Sequence, residues 1–148
     1  MTIRWFVPGR IEVFGKHTDY AGGRSLVCAV PRGITVEAER AADGLVLIED
    51  RTEGDRAEFS SRGEGADAGW RCYPRTVIRR LAANFPRADF SSRIRVTSDL
   101  PQAAGISSST AFLVGIAEAL VDCAGLEADD LWRQVIRTPE DRAGYFGC

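Results

Sequence analysis

The hydrophobic pattern changes its period along this chain, and that change limits the possible folds more than any other feature. In five segments, apolar and β-branched residues alternate with polar ones, as they do in strands with one buried face. These segments are residues 2–7, 25–40 (two strands, with a break near Pro31), 45–49, 55–60 and 93–98. The segments 45–49 and 55–60 are close enough to pair as a hairpin, and the polar, glycine-rich stretch 61–69 predicts a surface loop.

The period then lengthens to that of a helix. A four-residue spacing predicts a first helix that ends before Pro86, with its apolar residues at Tyr73, Val77, Leu81 and Phe85. A strongly apolar helix is predicted over 109–123, and Gly125 follows it where a C-terminal cap belongs. Arg71, Arg75 and Arg79 lie on another face of the first helix, where solvent exposure is the simpler interpretation and a ligand site the alternative.

Two further helices follow in the C-terminal part of the chain. One is predicted at about 128–137, with Leu131, Trp132, Val135 and Ile136 buried. The run Thr138-Pro139-Glu140 has the residues of a helix cap and first turn. Strand and helix periods in one chain predict a mixed α and β fold.

Composition excludes several classes of protein. The 148 residues are 45% hydrophobic and 27% charged with a net charge of −2, so neither disorder nor nucleic-acid binding through bulk charge is expected. No apolar run reaches the roughly 18 residues of a membrane helix. Four distant cysteines without a Cys-x-x-Cys pair predict reduced cytosolic thiols. Taken together, charge, apolar runs and cysteines predict a soluble cytoplasmic protein without a membrane or nucleic-acid partner.

The segment PQAAGISSSTA (101–111) lies where a strand gives way to the 109–123 helix. Gly105 permits an unusual backbone conformation, and Ser107, Ser108 and Ser109 supply hydroxyl groups next to the unpaired amides of a helix N-terminus. Such a site suits a polyphosphate, with a hydroxyl available for Mg²⁺. The alternative is that the serines only cap the helix. The segment is not a Walker loop, because it lacks Gly-Lys-Ser/Thr.

Polar residues are also concentrated in PGRIEVFGKHTDYAGG (8–23). The Arg10 guanidinium suits phosphate oxygens, while His17 and Asp19 would point to one side of an extended segment and could bind sugar hydroxyls. The alternative is a turn in which Asp19 caps locally and His17 has no role.

Together the two segments resemble the first two signatures of the galactokinases, in the superfamily of small-molecule kinases named after galactose, homoserine, mevalonate and phosphomevalonate (GHMP). Two weaker similarities are Trp70-x-x-Tyr73, which resembles a helix near the adenine pocket, and Glu140, which resembles a Mg²⁺-ligating glutamate. The resemblance implies an α+β fold: a mixed sheet with helices on one side and a left-handed β-α-β crossover. It further implies that residues 1–148 are a truncated N-terminal domain, whose missing C-terminal domain would be a partner and would bring the catalytic aspartate.

The resemblance also implies a role for each matching residue. Arg10 would stabilise the transferred phosphoryl group. Substrate sugar would be bound by Lys16, His17 and Asp19; ATP by Trp70, Tyr73, Gly105, Ser107, Ser108 and Ser109; and Mg²⁺ by Ser109 and Glu140. The implied activity is ATP-dependent phosphorylation of a sugar hydroxyl, which the fragment alone would not catalyse. The alternatives are a sugar- and ATP-binding sensor without catalysis, or a kinase of another small alcohol.

One departure from the family pattern affects the choice of sugar. Lys16 stands where the family has a glutamate, so a donor of hydrogen bonds replaces an acceptor. Glu12 replaces an asparagine. An acidic or phosphorylated sugar would suit Lys16 better than galactose.

Overall fold

The computed structural model describes residues 2–15, 22–65, 67–101 and 105–147. Its strands are β1 (Thr2–Phe14), β2 (Leu26–Arg40), β3 (Leu45–Asp50), β4 (Asp55–Ser60) and β5 (Ser92–Ser98). Its α-helices are α1 (Cys72–Asn84), α2 (Ser108–Ala124), α3 (Asp130–Val135) and α4 (Pro139–Gly147). Two short 3-10 turns, Gly69–Arg71 and Leu126–Ala128, precede α1 and α3.

The five strands form one mixed sheet in the order β1-β2-β5-β3-β4. All neighbouring pairs are antiparallel except β3 and β5, which run parallel with Ile48 opposite Ile94. A parallel pair needs a crossover, and here β4 and α1 provide it. The predicted hairpin is confirmed as β3 and β4.

The helices cover one face of this sheet. Ile34, Val36 and Ala38 of β2 are buried, and so are Ile94 and Val96 of β5, where α2 packs against β1 and β2. Side chains on the opposite face are charged and form cross-strand ion pairs, such as Arg4 with Glu37 (3.8 Å) and Arg95 with Glu49 (3.9 Å). The predicted α+β class, with helices on one side, is confirmed. The handedness of the crossover stays a prediction.

The first two strands are longer than the sequence predicts. β1 extends into the polar segment 8–23 as far as Phe14, and β2 is one strand instead of two. The register shifts between the pairs Pro8–Gly33 and Arg10–Ala29, so that residues 30–32 lie opposite Gly9 alone. Pro31, which cannot donate a ladder hydrogen bond, falls in this irregularity, so the predicted break is a bulge.

The helix predicted at 128–137 is wrong in its length and in its buried residues. It is divided into the 3-10 turn and α3, and Asp129 caps α3 by accepting hydrogen bonds from the amides of Leu131 and Trp132. Trp132 is buried at 3% exposure, while Leu131 and Val135 are about half exposed. A helix of six residues can bury only one narrow face, and Trp132 occupies that face.

The other helix ends agree with the sequence. Gly125 ends α2 with φ of 66°, a left-handed conformation that favours glycine. At the start of α4, the Thr138 hydroxyl accepts from the Asp141 amide (3.1 Å), and the Asp141 carboxylate accepts from the Thr138 amide (3.1 Å). This reciprocal cap confirms the predicted start.

Three cysteines fall within the described ranges, and all are free: Cys28, Cys72 and Cys123. Burial raises the pKa of the Cys123 thiol to about 11, so this thiol is unreactive at neutral pH. Of the helices described, none is long and apolar enough to cross a membrane. The cytoplasmic location stays a prediction.

Candidate active site

The fold joins the two sequence motifs, although almost one hundred residues separate them in the chain. The backbone N–H of Arg10 in β1 donates to the carbonyl oxygen of Ile106 in the serine-rich segment at 3.0 Å. Next to it, Gly9 is buried, and a Cβ atom built there would lie 2.8 Å from Cδ2 of Leu100 and 3.3 Å from the Ile106 oxygen. Glycine suits this close approach, because a larger residue would require the Leu100 side chain and the Ile106 backbone to shift.

The backbone of the serine-rich segment exposes the N-terminus of α2. Gly105 has φ of 66°, and Ser107 has φ of 60°, the only positive value outside glycine in the described part of the chain. Ser107 precedes the first residue of α2, and no side-chain cap is found for the first helical amides within the described ranges. The first turn also has no acidic side chain. Its amides and the positive end of the helix dipole therefore form a site suited to an anion.

This helix start opens into a cleft of about 380 Å³. Its walls contain the aromatic side chains Trp70, Tyr73 and Phe112, the hydroxyl-bearing residues Thr52, Ser98, Ser108 and Ser109, and the acidic Asp50 and Glu53. The cleft therefore combines an aromatic wall with a helix N-terminus. The prediction that Tyr73 belongs to the apolar core face of α1 is wrong, because Tyr73 is 38% exposed and lines the cleft.

Trp70 is fixed in the cleft wall by contacts on several sides. Its indole N–H donates to the Asp55 carboxylate at 3.0 Å, and its ring packs edge-on against Phe112 with centroids 5.8 Å apart. The Arg71 guanidinium lies 5.2 Å from the centre of the indole ring. The sequence favours simple solvent exposure for the arginines of this stripe. In the structure, however, Arg71 is ion-paired with Asp55 and Arg75 with Asp67.

A second wall of the cleft is the turn between β3 and β4, whose role the sequence does not reveal. The Asp50 carboxylate accepts from the Thr52 amide at 2.8 Å, and the Thr52 hydroxyl accepts from the Ser98 amide at 2.8 Å. The parallel pairing of β3 with β5 brings this turn to the cleft. The only local signal is the hairpin itself, and a hairpin does not indicate which strand its edge will join.

Family models match both motifs of this site. The galactokinase galactose-binding signature matches residues 2–40, and the N-terminal domain of the GHMP kinases matches residues 73–142. The chain belongs to the GHMP kinase superfamily. It is galactokinase-like within that superfamily, because the signature segment contains β1 and β2, and the GHMP kinase domain contains the serine-rich segment.

Known galactokinases are similar over most of this GHMP kinase chain. The galactokinase of Actinobacillus pleuropneumoniae is 32% identical over 113 residues, which are 75% of this chain and 29% of that protein. The galactokinase of Limosilactobacillus fermentum is 32% identical over 147 residues, which are 95% of this chain and 38% of that protein. The structure of Lactococcus lactis galactokinase complexed with galactose matches with a TM-score of 0.76 at 26% identity, over 99% of this chain and 39% of that one.

The chain thus spans between 29 and 38% of the length of these two curated relatives. The two family-model matches contain every residue that the sequence assigns to the site except Trp70, which lies between them. Of these, Lys16, His17 and Asp19 lie outside the described residues. Arg10 is exposed, with its backbone hydrogen-bonded to Ile106 as described.

The predicted sugar residues follow the outer end of the β1–β2 ribbon. This end is unusually apolar for a surface, with Ile11, Val13, Phe14, Leu26 and Val27 each between 46 and 70% exposed. β5 pairs only with Ile34–Arg40 of β2, so this end extends past the rest of the sheet.

Glu140 is on α4, which contacts the middle and end of α2. Arg142 of α4 donates to Glu118 of α2 (Nε to Oε1, 3.0 Å) and to Glu127 beyond its end (2.8 Å). Burial raises the pKa of the Glu118 carboxyl above its ordinary value, although Arg142 acts in the opposite direction. These ion pairs fix α4 in place.

The structure does not bring Glu140 and Ser109 together. Glu118 comes nine residues after Ser109, which is about 13 Å along the helix. Tyr145, later in α4, shares a small cavity with Leu113, closer to the start of α2. α4 therefore begins near the far end of α2, and Glu140 is exposed there. Its assignment as a Mg²⁺ ligand rests on the resemblance alone.

A second cavity lies away from both motifs. It measures about 440 Å³ and lies between the end of α1 and the start of α3, with Phe85, Asp129 and Leu131 in its walls. It is somewhat larger than the cleft, but no residue of the two motifs lines it. The helix that begins there, α3, has only six residues and is too short to provide an anion site.

Proposed function

We propose that this chain forms the nucleotide- and sugar-binding part of an enzyme that transfers a phosphoryl group from ATP to a sugar hydroxyl. The observation that supports this most strongly is the cleft, which has aromatic walls at Trp70 and Tyr73 and the N-terminus of α2 beside them. Its volume of about 380 Å³ is in the usual range for small-molecule sites. Arg10 follows the glycine that packs against the same serine-rich segment.

ATP would bind along this cleft. Trp70 and Tyr73 offer aromatic surfaces for the adenine ring, while the amides of the first α2 turn and the Ser108 and Ser109 hydroxyls offer donors for the phosphates. No acidic side chain in that turn opposes the negative charge. In this arrangement the chain binds and orients the nucleotide, which is most of what phosphoryl transfer requires of a protein.

Mg²⁺ would neutralise charge on the phosphates when bound. The exposed Ser109 hydroxyl fits as one ligand, because Mg²⁺ in such sites takes few ligands from the protein and the rest from phosphate and water. Glu140 does not fit in the described arrangement, and the described residues contain no group of three acidic, histidine or cysteine side chains suited to a metal.

Arg10 would stabilise negative charge on the transferred group. Its guanidinium is always protonated and presents several donors to phosphate oxygens. The hydrogen bond from its amide to Ile106 fixes the start of the side chain next to the phosphate site. Orientation of this kind lowers the barrier because the charge is compensated without rearrangement.

The sugar would bind at Lys16, His17 and Asp19. The match to the galactose-binding signature supports this assignment, and so does the similarity to an enzyme that was solved with galactose. Lys16 would favour an anionic sugar, since an ammonium group attracts a carboxylate or a phosphate. The alternative, galactose itself, would require hydroxyl contacts from His17 and Asp19 alone.

The purified 148-residue chain tests this proposal by calorimetry. We expect binding of Mg·ATP and of one sugar from a panel of galactose, galacturonate, galactose 1-phosphate and glucose, with the anionic sugars preferred. Lys16→Glu should move the preference towards galactose. Absence of both ATP and sugar binding would contradict the proposed function.

We further propose that this chain alone does not turn over substrate. The resemblance implies that the remaining part of such an enzyme brings a catalytic aspartate and a second domain that closes the cleft. The exposed apolar end of the β1–β2 ribbon is a surface that such a domain would cover. An assay of ADP release with the same sugars should give no sugar-dependent signal. Robust turnover by a monodisperse sample would show that no second domain is needed.

A further inference from the structure

Asp55 connects the two walls of the cleft. It is the first residue of β4, directly after the turn that contains Thr52 and Glu53, and its carboxylate accepts the indole N–H of Trp70 at 3.0 Å. The Arg71 guanidinium donates to both Asp55 oxygens at 2.8 Å. One carboxylate therefore joins the β3–β4 turn to the segment before α1.

These contacts determine the orientation of the Trp70 ring. An indole has two side-chain torsions, and here its N–H end is held by Asp55, its edge by Phe112 and its face by Arg71. Arg71 is itself held over the ring by the same Asp55 carboxylate. Removing that carboxylate would release both the indole N–H and the cation at once.

We propose that Asp55 is a positioning residue for the nucleotide base: it holds Trp70 in the orientation that the base stacks on. This inference rests on the proposed function, because it concerns the same cleft. Asp55 is not among the residues that line the cleft, so it acts through Trp70.

The state of the carboxylate supports this role. The hydrogen bond from Trp70, followed by one from the Arg56 amide, lowers the pKa of Asp55 below its ordinary value, so the group is ionised at neutral pH. An ionised acceptor makes a stronger hydrogen bond than a neutral one. The side chain is 42% exposed and lies outside the core, so its removal should affect the cleft more than the fold.

The test compares ATP affinity by calorimetry in the 148-residue chain and its variants. Asp55→Ala should weaken ATP binding about three- to tenfold, the loss expected for one hydrogen bond of this kind. Asp55→Asn retains a neutral acceptor for the indole but loses the charge that holds Arg71, so its loss of affinity should be smaller than that of Asp55→Ala. The matched control is Asp67→Ala, which removes the carboxylate paired at 2.6 Å with Arg75 in the first turn of α1 and should leave ATP affinity unchanged.

A double-mutant comparison separates positioning from a general structural role. In a Trp70→Phe background the indole donor is absent, so Asp55→Ala should cause a clearly smaller loss of affinity than it does in the unsubstituted chain. In nitrogen-edited spectra, the Trp70 indole signal, assigned with Trp70→Phe, should shift in Asp55→Ala and shift less in Asp55→Asn.

The outcomes distinguish this inference from the proposed function. Unchanged ATP affinity in Asp55→Ala, or an equal loss with and without Trp70, would overturn the inference while leaving ATP binding intact. If the unsubstituted chain binds no ATP, both fail together. If Asp55→Ala does not fold, Asp55→Asn takes its place, measured by its Trp70 indole shift and its ATP affinity. A large loss of affinity with an unchanged Trp70 signal would contradict positioning through Trp70. A shifted Trp70 signal together with a loss of affinity would support it.

Discussion

The amide of Arg10 donates a hydrogen bond to the carbonyl oxygen of Ile106 at 3.0 Å, and this contact joins the N-terminal motif to the serine-rich segment. It forms where the β1–β2 pairing is irregular, so the amide of Arg10 points away from its ladder partner and towards the start of α2. The proposed phosphate site and the proposed catalytic arginine are thereby held in one rigid unit.

Gly9→Ala should disturb this unit. The new methyl group would lie 2.8 Å from the Leu100 side chain and 3.3 Å from the Ile106 oxygen, so we expect a loss of about 1–3 kcal/mol in the free energy of unfolding, together with weaker ATP binding. Gly144→Ala is the control, because a Cβ atom there meets nothing within 4 Å in a helix that alanine favours. Urea denaturation should show equal or higher stability for the control. Equal stability of the two variants would mean that the close approach at Gly9 is not required.

Ser107 carries backbone strain at the start of α2. Its φ of 60° is left-handed, which costs a residue with a side chain roughly 1 kcal/mol relative to glycine. We expect Ser107→Gly to match or exceed the stability of the unsubstituted chain, and Ser107→Val to lose about 1–2 kcal/mol because branching at Cβ worsens the strain. Thermal unfolding measures both. A Val variant as stable as the Gly variant would argue against the left-handed conformation.

Ser109→Ala should weaken Mg·ATP binding and reduce its dependence on Mg²⁺. The substitution removes a hydroxyl from the cleft wall beside the first α2 amides. Thr110→Ala is the matched control, since Thr110 lies in the same helical turn but not in the cleft wall. Calorimetric titrations with and without Mg²⁺ should separate the two variants. The assignment of Ser109 fails if both retain full affinity and Mg²⁺ dependence.

Arg142→Met should destabilise the chain, and the effect should depend on pH. The substitution leaves Glu118 buried without its partner, beside Asp122 and Glu127, so we expect a loss of about 2–3 kcal/mol at neutral pH. Burial already raises the pKa of Glu118, and removing Arg142 raises it further. A raised pKa favours the folded state at low pH, and that contribution is lost as the pH rises through the folded-state pKa.

Part of the lost stability of Arg142→Met should therefore return as the pH falls through the raised pKa of Glu118. Arg133→Met is the control, because Arg133 is exposed and its guanidinium donates to the backbone oxygen of Glu127 at 2.9 Å instead of to a buried carboxylate. Urea denaturation over a series of pH values measures both variants. A pH-independent loss in Arg142→Met would show that Glu118 does not cause it.

Local elements of this fold could be predicted from the sequence because their signals are local. The β3–β4 hairpin, the end of α2 at Gly125 and the start of α4 at Thr138 all follow from periodicity and capping residues within a few positions. Burial in short helices could not be predicted: Leu131 and Val135 fit the pattern of α3, but Trp132 alone occupies its buried face.

The candidate site was only partly accessible to such reasoning. The phosphate site at Ser107–Ser109 follows from local chemistry, whereas the second wall at Asp50–Glu53 depends on the parallel pairing of β3 with β5 across more than forty residues. Tyr73 fits a helical core pattern but lines the cleft instead, together with Asp50, Thr52 and Glu53 of the β3–β4 hairpin. Tertiary packing decides such features, and periodicity carries no information about it.

The most direct test of the central claim is a map of amide and indole chemical-shift changes as Mg·ATP is titrated into the isotopically labelled 148-residue chain. Binding in the cleft predicts the largest saturable changes at the amides of Gly105 to Thr110 and at the Trp70 indole, with little change at Trp132, which is buried away from the cleft. Changes centred on the cavity beside Phe85 and Asp129, or no saturable change at all, would contradict the claim that the start of α2 and the Trp70 wall together form a nucleotide site.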